Sequence, residues 1–166
     1  ILKHSVLALE VIITTQPPNN FTNGQSYKLC TMKEKDFINK VHKKLPKEVY
    51  KWKINDPYHG GVPDAFYSGP AGFCFVEYKY VQSLPDRGTS KVPINLSQQQ
   101  RLWIARAHND QLPTYIVIGS PGGVCITDNP HAEFFYLDCF LRCAVTFEAY
   151  VAKISNICLD INKDLI

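Results

Sequence analysis

Three residues have the types and spacing to do chemistry together: Asp64, Glu77 and Lys79. Gly60 to Tyr67 and Phe73 to Tyr80 both read as β-strands, because Val, Phe and Tyr dominate them and Ser68-Gly69-Pro70-Ala71-Gly72 between them is turn chemistry. Strand side chains alternate between faces, so Glu77 and Lys79 share one face while Val76 and Tyr78 share the other. A hairpin would carry Asp64 beside them. Two ionised carboxylates about 5 Å apart repel by about 3 kcal/mol at an effective dielectric of 20, so a divalent cation between them is the natural way to keep both charged. Mg²⁺ (or Mn²⁺) takes one or two carboxylates together with waters and phosphate oxygens, and Lys79 beside it would steady phosphate charge or orient an attacking water. Taken singly, Glu-x-Lys on a strand is an ordinary solvated ion pair and Pro63-Asp64 an ordinary turn. The combination argues otherwise, because these charges sit inside strands otherwise made of core residues.

Pro63-Asp64 followed by Glu77-Tyr78-Lys79 resembles the PD-(D/E)XK signature of restriction-endonuclease-like nucleases. Gly61-Val62-Pro63-Asp64, the Glu77/Lys79 strand and then Leu96-Ser97-Gln98-Gln99-Gln100-Arg101-Leu102-Trp103 are similar to the VRR-NUC and Holliday-junction-resolvase branch, in which a Leu-Ser-x-x-Gln-x-x-Trp helix follows the acid-x-lysine strand. The likeness runs from about Met32 to Thr127. It implies an α/β fold with a restriction-endonuclease-like core, a mixed central sheet of about five strands flanked by helices. Around that core, residues 1–31 would be an N-terminal extension and residues 128–166 a C-terminal helical segment packing on it. The activity implied is metal-dependent hydrolysis of DNA phosphodiester bonds, of a structure-specific, junction-resolvase-like kind. Asp64 and Glu77 would hold the metal, Glu34 would be a third acid, Lys79 would position water and Gln100 would support them. Resolvases act as dimers, which implies a homodimer, although no residue identifies the interface. The branch is common in phage genomes, which implies a bacterial host cytoplasm. The rival reading is a catalytically silent DNA-binding or phage structural protein on the same fold; mutually repelling acids kept together speak against it.

With 166 residues, 45% hydrophobic and 20% charged, the sequence suits one folded domain with a sizeable core. A net charge of +3 permits nucleic-acid binding without demanding it. Cysteines 30, 74, 125, 139, 143 and 158 include no Cys-x-x-Cys pair, and Cys139, Cys143 and His131 make a poor zinc site. Several lie within apolar runs, where a free buried thiol is ordinary, so a reducing compartment fits better than secretion; the sequons at Asn20 and Asn95 are then incidental. No segment approaches the roughly 18 uninterrupted apolar residues of a membrane span. Residues 5–13 are largely apolar but carry Glu10 and no small-residue cleavage site, which favours an added strand over a signal peptide.

Residues 16–26 read as loop. Met32, the only methionine, precedes an amphipathic pattern of Phe37, Ile38, Val41 and Leu45, and we read it as a present or former translation start of a nuclease unit that needs nothing upstream. Thr31 and Glu34 have capping-box spacing, so Glu34 either caps this helix or reaches the metal site. Pro46 ends the helix, and Glu48 to Asn55 reads as a strand. Lysines 40, 43, 44, 47, 51 and 53 crowd this region, as a solvated face or a phosphate track, with Lys53 nearest the Asp64 strand in sequence. Gly60-Gly61 would admit a nucleic-acid backbone closely, and His59 beside them would touch a phosphate or remain a plain loop histidine. Residues 83–91 form a polar loop able to fold over the site, with Arg87 and Lys91 as candidate phosphate contacts. Ser97 N-caps a helix to about Asn109 that presents Gln100, Trp103, Ile104 and Ala107 on one face. Tyr115 to Ile118 and Val124 to Ile126 read as strands around Pro121-Gly122-Gly123, and residues 132–159 as one or two packing helices without chemistry.

Overall fold

The computed structural model describes residues 32–160. The apolar stretch 5–13, the loop 16–26 and Thr31 lie outside the described residues. In chain order the elements are α1 (Glu34–Lys44), β1 (Tyr50–Lys53), β2 (Ala65–Ser68), β3 (Phe73–Tyr80), β4 (Lys91–Pro93), α2 (Gln98–Asn109), β5 (Thr114–Ser120), β6 (Gly123–Thr127), β7 (Phe134–Tyr136), α3 (Leu137–Cys143) and α4 (Phe147–Leu159). Five strands form one mixed sheet in the order β1-β2-β3-β5-β6, and β4 and β7 form a separate antiparallel ribbon. Within the main sheet only the β3–β5 pair is parallel, and α2 lies on the chain between those two strands. Parallel neighbours need a crossover of this length, so the helix expected after the acid-x-lysine strand is also what makes that pairing possible. The architecture is the expected α/β type: a mixed five-stranded sheet flanked by helices, as in restriction-endonuclease-like proteins.

Local chemistry accounts for most boundaries. In α1, Phe37, Ile38 and Val41 are buried on one face, Glu34 and Asp36 occupy the first turn, and His42, Lys43 and Lys44 occupy the last, where each sign suits the helix dipole. Leu45, ahead of Pro46, is already extended and ends the helix. In α2, Ser97 Oγ accepts from Gln100 N while Gln100 Oε1 accepts from Ser97 N, a reciprocal cap that fixes where the helix starts. Between β5 and β6 the chain reverses through Gly123, whose φ of +128° opposes a side chain and where an added Cβ would lie 2.9 Å from Val145 O.

Two cores flank the sheet. On one face α1 and α4 pack Phe37, Val41, Tyr150 and Ile154 against Tyr67, Val76, Tyr78 and Val117. On the other, α2, α3 and the β4/β7 ribbon enclose Ile104, Ile116, Ile118, Cys125 and Phe140. Burial of each such side chain contributes about 1.5 to 3 kcal/mol. The β3 and β5 strands lie between the two cores, which leaves Glu77 in the middle of the sheet with no exposed surface.

Several expectations need correction. The first strand is shorter than 48–55, because β1 is a sheet edge whose residues are mostly exposed and only Tyr50–Lys53 pair with β2. Gly60 to Asp64 is not strand: pairing in β2 begins at Ala65, and Asp64 lies just before it. The β4/β7 ribbon was not anticipated and brings strand structure into 128–166, alongside α3 and α4.

Candidate active site

Position 77 exists as a buried charge because of register. Ala65 pairs with Val76 across β2 and β3, so Asp64 falls opposite Glu77 on the same face of the sheet, and Asp64 Oδ2 accepts a 2.8 Å hydrogen bond from Tyr78 N. Ile54 N donates to Asp64 O at 2.8 Å, which ties the backbone at this point to the end of β1. From two residues further along β3, Lys79 Nζ reaches back to Glu77 Oε1 at 2.6 Å. Gln100 donates to the same oxygen through Nε2 at 2.5 Å. Because its Oε1 is already engaged by the helix cap, the amide has its Nε2 available for Glu77. From α1, Glu34 Oε2 comes within 4.0 Å of Lys79 Nζ.

The five expected residues Asp64, Glu77, Lys79, Glu34 and Gln100 are therefore brought together by three elements, α1, β3 and α2, and the segment just before β2. The competing roles of Glu34 also separate here. Lys33 is the N-cap, its N–H is accepted by Asp36 at 3.2 Å, and Glu34 is the first helical residue with its carboxylate turned to Lys79.

Electrostatically the cluster holds too little positive charge. Burial raises Glu77 to about 7, helped by the Asp64 charge and opposed by Lys79. Burial likewise raises Asp64 against the Tyr78 N–H and the charges of Lys79 and Lys53, and raises Glu34 against Lys79. Burial alone would lower Lys79, but the charge and hydrogen bond of Glu77, with Glu34 and Asp64 behind it, raise it overall. All four groups hold protons more tightly than in water, as three carboxylates sharing one ammonium must. One atom shows the deficit directly: Glu77 Oε2 is buried with no hydrogen-bond partner. An orphaned carboxylate oxygen is costly unless something cationic or protic meets it.

A divalent ion fits that description. Among the described residues no three His, Cys, Asp or Glu side chains form a ready-made metal cage. Mg²⁺ does not require one, since it commonly takes one or two carboxylates and fills its octahedron with water and substrate phosphate. Glu77 Oε2 and the Asp64 carboxylate are the two groups here that could hold such an ion.

No family model matches the chain, and no curated protein matches it. Among solved structures it is similar to Hjc, a Holliday junction resolvase from the archaeal hyperthermophile Archaeoglobus fulgidus, at TM-score 0.44 and 11% identity over 73% of this chain and 97% of that one. At that distance the likeness carries no argument. Function has to be read from the side chains.

The residues expected to contact nucleic acid are more dispersed. Lys53 closes β1 and its charge is felt by Asp64. Among the described residues, no hydrogen bond or ion pair joins His59, Arg87 or Lys91 to the acid–lysine cluster. The His59 ring stands out in solvent and pairs with Asp56 at 2.9 Å; Asp56 also accepts from Tyr58 N and His59 N, bonds that hold its carboxyl below the usual range. Lys91 Nζ lies 4.0 Å from the centre of the Phe134 ring. The 83–91 loop is anchored at its far end to α3, since Gly88 O and Ser90 O accept from Asp138 N and Leu137 N.

Two further expectations change. The backbone that Gly61 admits is the protein's own: a Cβ there would lie 2.4 Å from the Gln99 carbonyl, and its φ is +85°. The glycine thus seats the loop before Asp64 against the first turn of α2, the turn that carries Gln100. Trp103, which reads most simply as core, is only partly buried and meets Phe75 at 5.2 Å between ring centres, while Ile104 and Ala107 are buried.

Proposed function

We propose that this protein is a metal-dependent nuclease that hydrolyses DNA phosphodiester bonds, with Mg²⁺ or Mn²⁺ held by Asp64 and Glu77. The observation that carries this reading is the unpartnered Glu77 Oε2, buried next to a second carboxylate and a lysine at the centre of the sheet. A bound divalent ion supplies Lewis-acid polarisation of the phosphate and lowers the pKa of water. The chain supplies the rest. Lys79, paired with Glu77 and close to Glu34, orients the attacking water and offsets charge that develops on phosphoryl oxygens. Gln100 fixes Glu77 Oε1, so that Oε2 keeps one direction. Glu34 remains partly exposed and shares Lys79, which suits an outer carboxylate that accepts from water. DNA reaches the site beside Lys53, where the end of β1 meets Asp64. Two such sites in a homodimer would suit paired incisions at a branch.

The test incubates plasmid and branched DNA with the full chain in Mg²⁺ and in EDTA, wild type beside Lys79→Ala. Cutting by wild type that needs the metal and falls at least about 100-fold in Lys79→Ala is the expected result. Absence of metal-dependent cutting on every substrate would transfer the fold to the silent DNA-binding reading.

A further inference from the structure

The sheet face that carries Asp64, Glu77 and Lys79 continues into a patch of aromatic rings that no element among the described residues covers fully. Strand alternation puts Phe73 and Phe75 on the Glu77 side of β3, and the register places Phe66 opposite Phe75 and Trp52 opposite Phe66. The rings form a connected row: Trp52 to Phe66 at 6.5 Å, Phe66 to Phe75 at 4.9 Å, Phe75 to Trp103 of α2 at 5.2 Å, with Phe73 6.4 Å from Phe75. Tyr50 extends it along β1. The helix α2 and the β4/β7 ribbon cover the β5 side of this face, but toward the β1 edge Tyr50 is 60% exposed, Trp52 51% and Phe73 37%.

From this continuity we infer that the patch is a stacking platform for unpaired bases, so that the site takes DNA with a single-stranded segment beside the bond to be cut. The inference rests on the nuclease reading only for the last clause. Several observations favour bases over other occupants. The exposed rings of the patch, Tyr50, Trp52 and Phe73, are all aromatic, and flat π faces accept any base, whereas a protein partner is packed by mixed side chains. Its exposed part is small: three rings of 150–250 Å², each about half open, offer about 300 Å², against about 800 Å² per partner in a stable protein interface. Its position is also suitable, because Phe75 and Glu77 are alternate residues on one strand and stand about 7 Å apart. A base stacked at Phe73 or Trp52 would therefore have its phosphate chain running toward the acid–lysine cluster.

The two tryptophans of the chain are Trp52 and Trp103, so intrinsic fluorescence reports on this row. The experiment titrates the full chain, in EDTA so that nothing is cut, with a single-stranded oligothymidylate and with a blunt duplex of equal length. Fluorescence should fall on adding the single strand. Trp52→Ala should weaken single-strand binding about 5- to 150-fold, the range for one lost base–aromatic stack. Trp52→Phe should restore most of it, and duplex binding should change less than about twofold. Unchanged single-strand binding in a folded Trp52→Ala protein overturns the platform. So does loss of a dimer in that variant without loss of oligonucleotide binding, which assigns the patch to a second copy, and so does a Trp52 already shielded from iodide in the free protein. The wild-type Mg²⁺ cleavage assay keeps the two readings apart. Trp52-dependent binding without cleavage leaves the platform and removes the nuclease, whereas cleavage with Trp52-independent binding removes the platform alone.

Discussion

The β3 strand buries polar side chains on both of its faces and treats them in opposite ways. On the α1/α4 face Tyr78 OH lies 2.6 Å from Tyr150 OH and 2.9 Å from Tyr67 OH, and Tyr67 OH in turn meets His42 Nε2 at 3.0 Å. That row of hydroxyls is neutral, closed and satisfied. Burial drives Tyr67, Tyr78 and Tyr150 well above the ordinary tyrosine range, so none ionises at physiological pH. One residue away on the α2 face, Glu77 is as deeply buried, yet one oxygen has two donors and the other has none. A satisfied network specifies a core, whereas a half-satisfied one costs stability and persists where something else is meant to complete it. Adjacent residues of one strand thus separate a closed polar network from an open one.

The largest effects should come from substitutions that test this separation directly. Glu77→Gln should lower metal-dependent cleavage about 100- to 1000-fold, the range for losing a group that acts on transition-state charge, while leaving thermal stability equal or higher, because a strained carboxylate has gone. Tyr78→Phe should do the reverse. Removing the central hydroxyl leaves Tyr67 and Tyr150 short of a partner and should cost about 1 to 3 kcal/mol, with cleavage by the remaining folded protein nearly intact, since it is the Tyr78 backbone that holds Asp64. Thermal melts and cleavage rates on the same samples check both. If Glu77→Gln melted far lower and Tyr78→Phe lost cleavage, the two faces would have exchanged roles.

A smaller effect concerns pH. In EDTA the Glu77 carboxyl titrates near 7 when folded against an ordinary value of 4.5, so between those values the folded state keeps a proton that the unfolded state has lost. Stability should therefore fall as pH rises from about 4.5 to about 7 and then level off. Glu77→Gln should flatten that decline, and Mg²⁺ should stabilise the wild type more at pH 8 than at pH 5, since an ion needs the ionised carboxylate. Urea melts across the window give the slope. An equal decline in Glu77→Gln would place the proton elsewhere.

What could be read from the sequence divides along the same line. Strand β3 and the Ser97 cap rest on local signals, alternation at two residues and an N-cap serine, which short-range chemistry fixes, whereas the Gln100 contact with Glu77 spans 23 positions and was expected only from the family resemblance. The tyrosine row escaped notice because Tyr78 and Tyr150 meet across a separation of 72 positions, and a buried hydroxyl looks like any other core aromatic until its partner is placed. Ribbon β4/β7 escaped for a related reason: each strand has three residues, too few for a period to show. The aromatic platform was legible in principle, since Phe73 and Phe75 share the alternation that selected Glu77 and Lys79. Only the register with β2 and β1 joins them to Phe66 and Trp52. The glycine pair misled because sequence reports that a backbone approaches closely without saying whose it is.

Least affected should be Glu34, and the size of its effect separates charge from helix position. Its carboxylate is 40% exposed and 4.0 Å from Lys79 Nζ, so pairing there is worth about 0 to 1 kcal/mol. Glu34→Gln should slow cleavage by less than about fivefold and leave the melting temperature unchanged. Asp36→Ala removes the bond to Lys33 N and should lower stability by about 0.5 to 1 kcal/mol without slowing cleavage. A fall beyond about 100-fold in Glu34→Gln would place Glu34 among the groups that hold the metal, because a shared lysine alone is too weak to account for it. Slowed cleavage in Asp36→Ala alone would mean that the start of α1, rather than the charge it presents, positions Lys79.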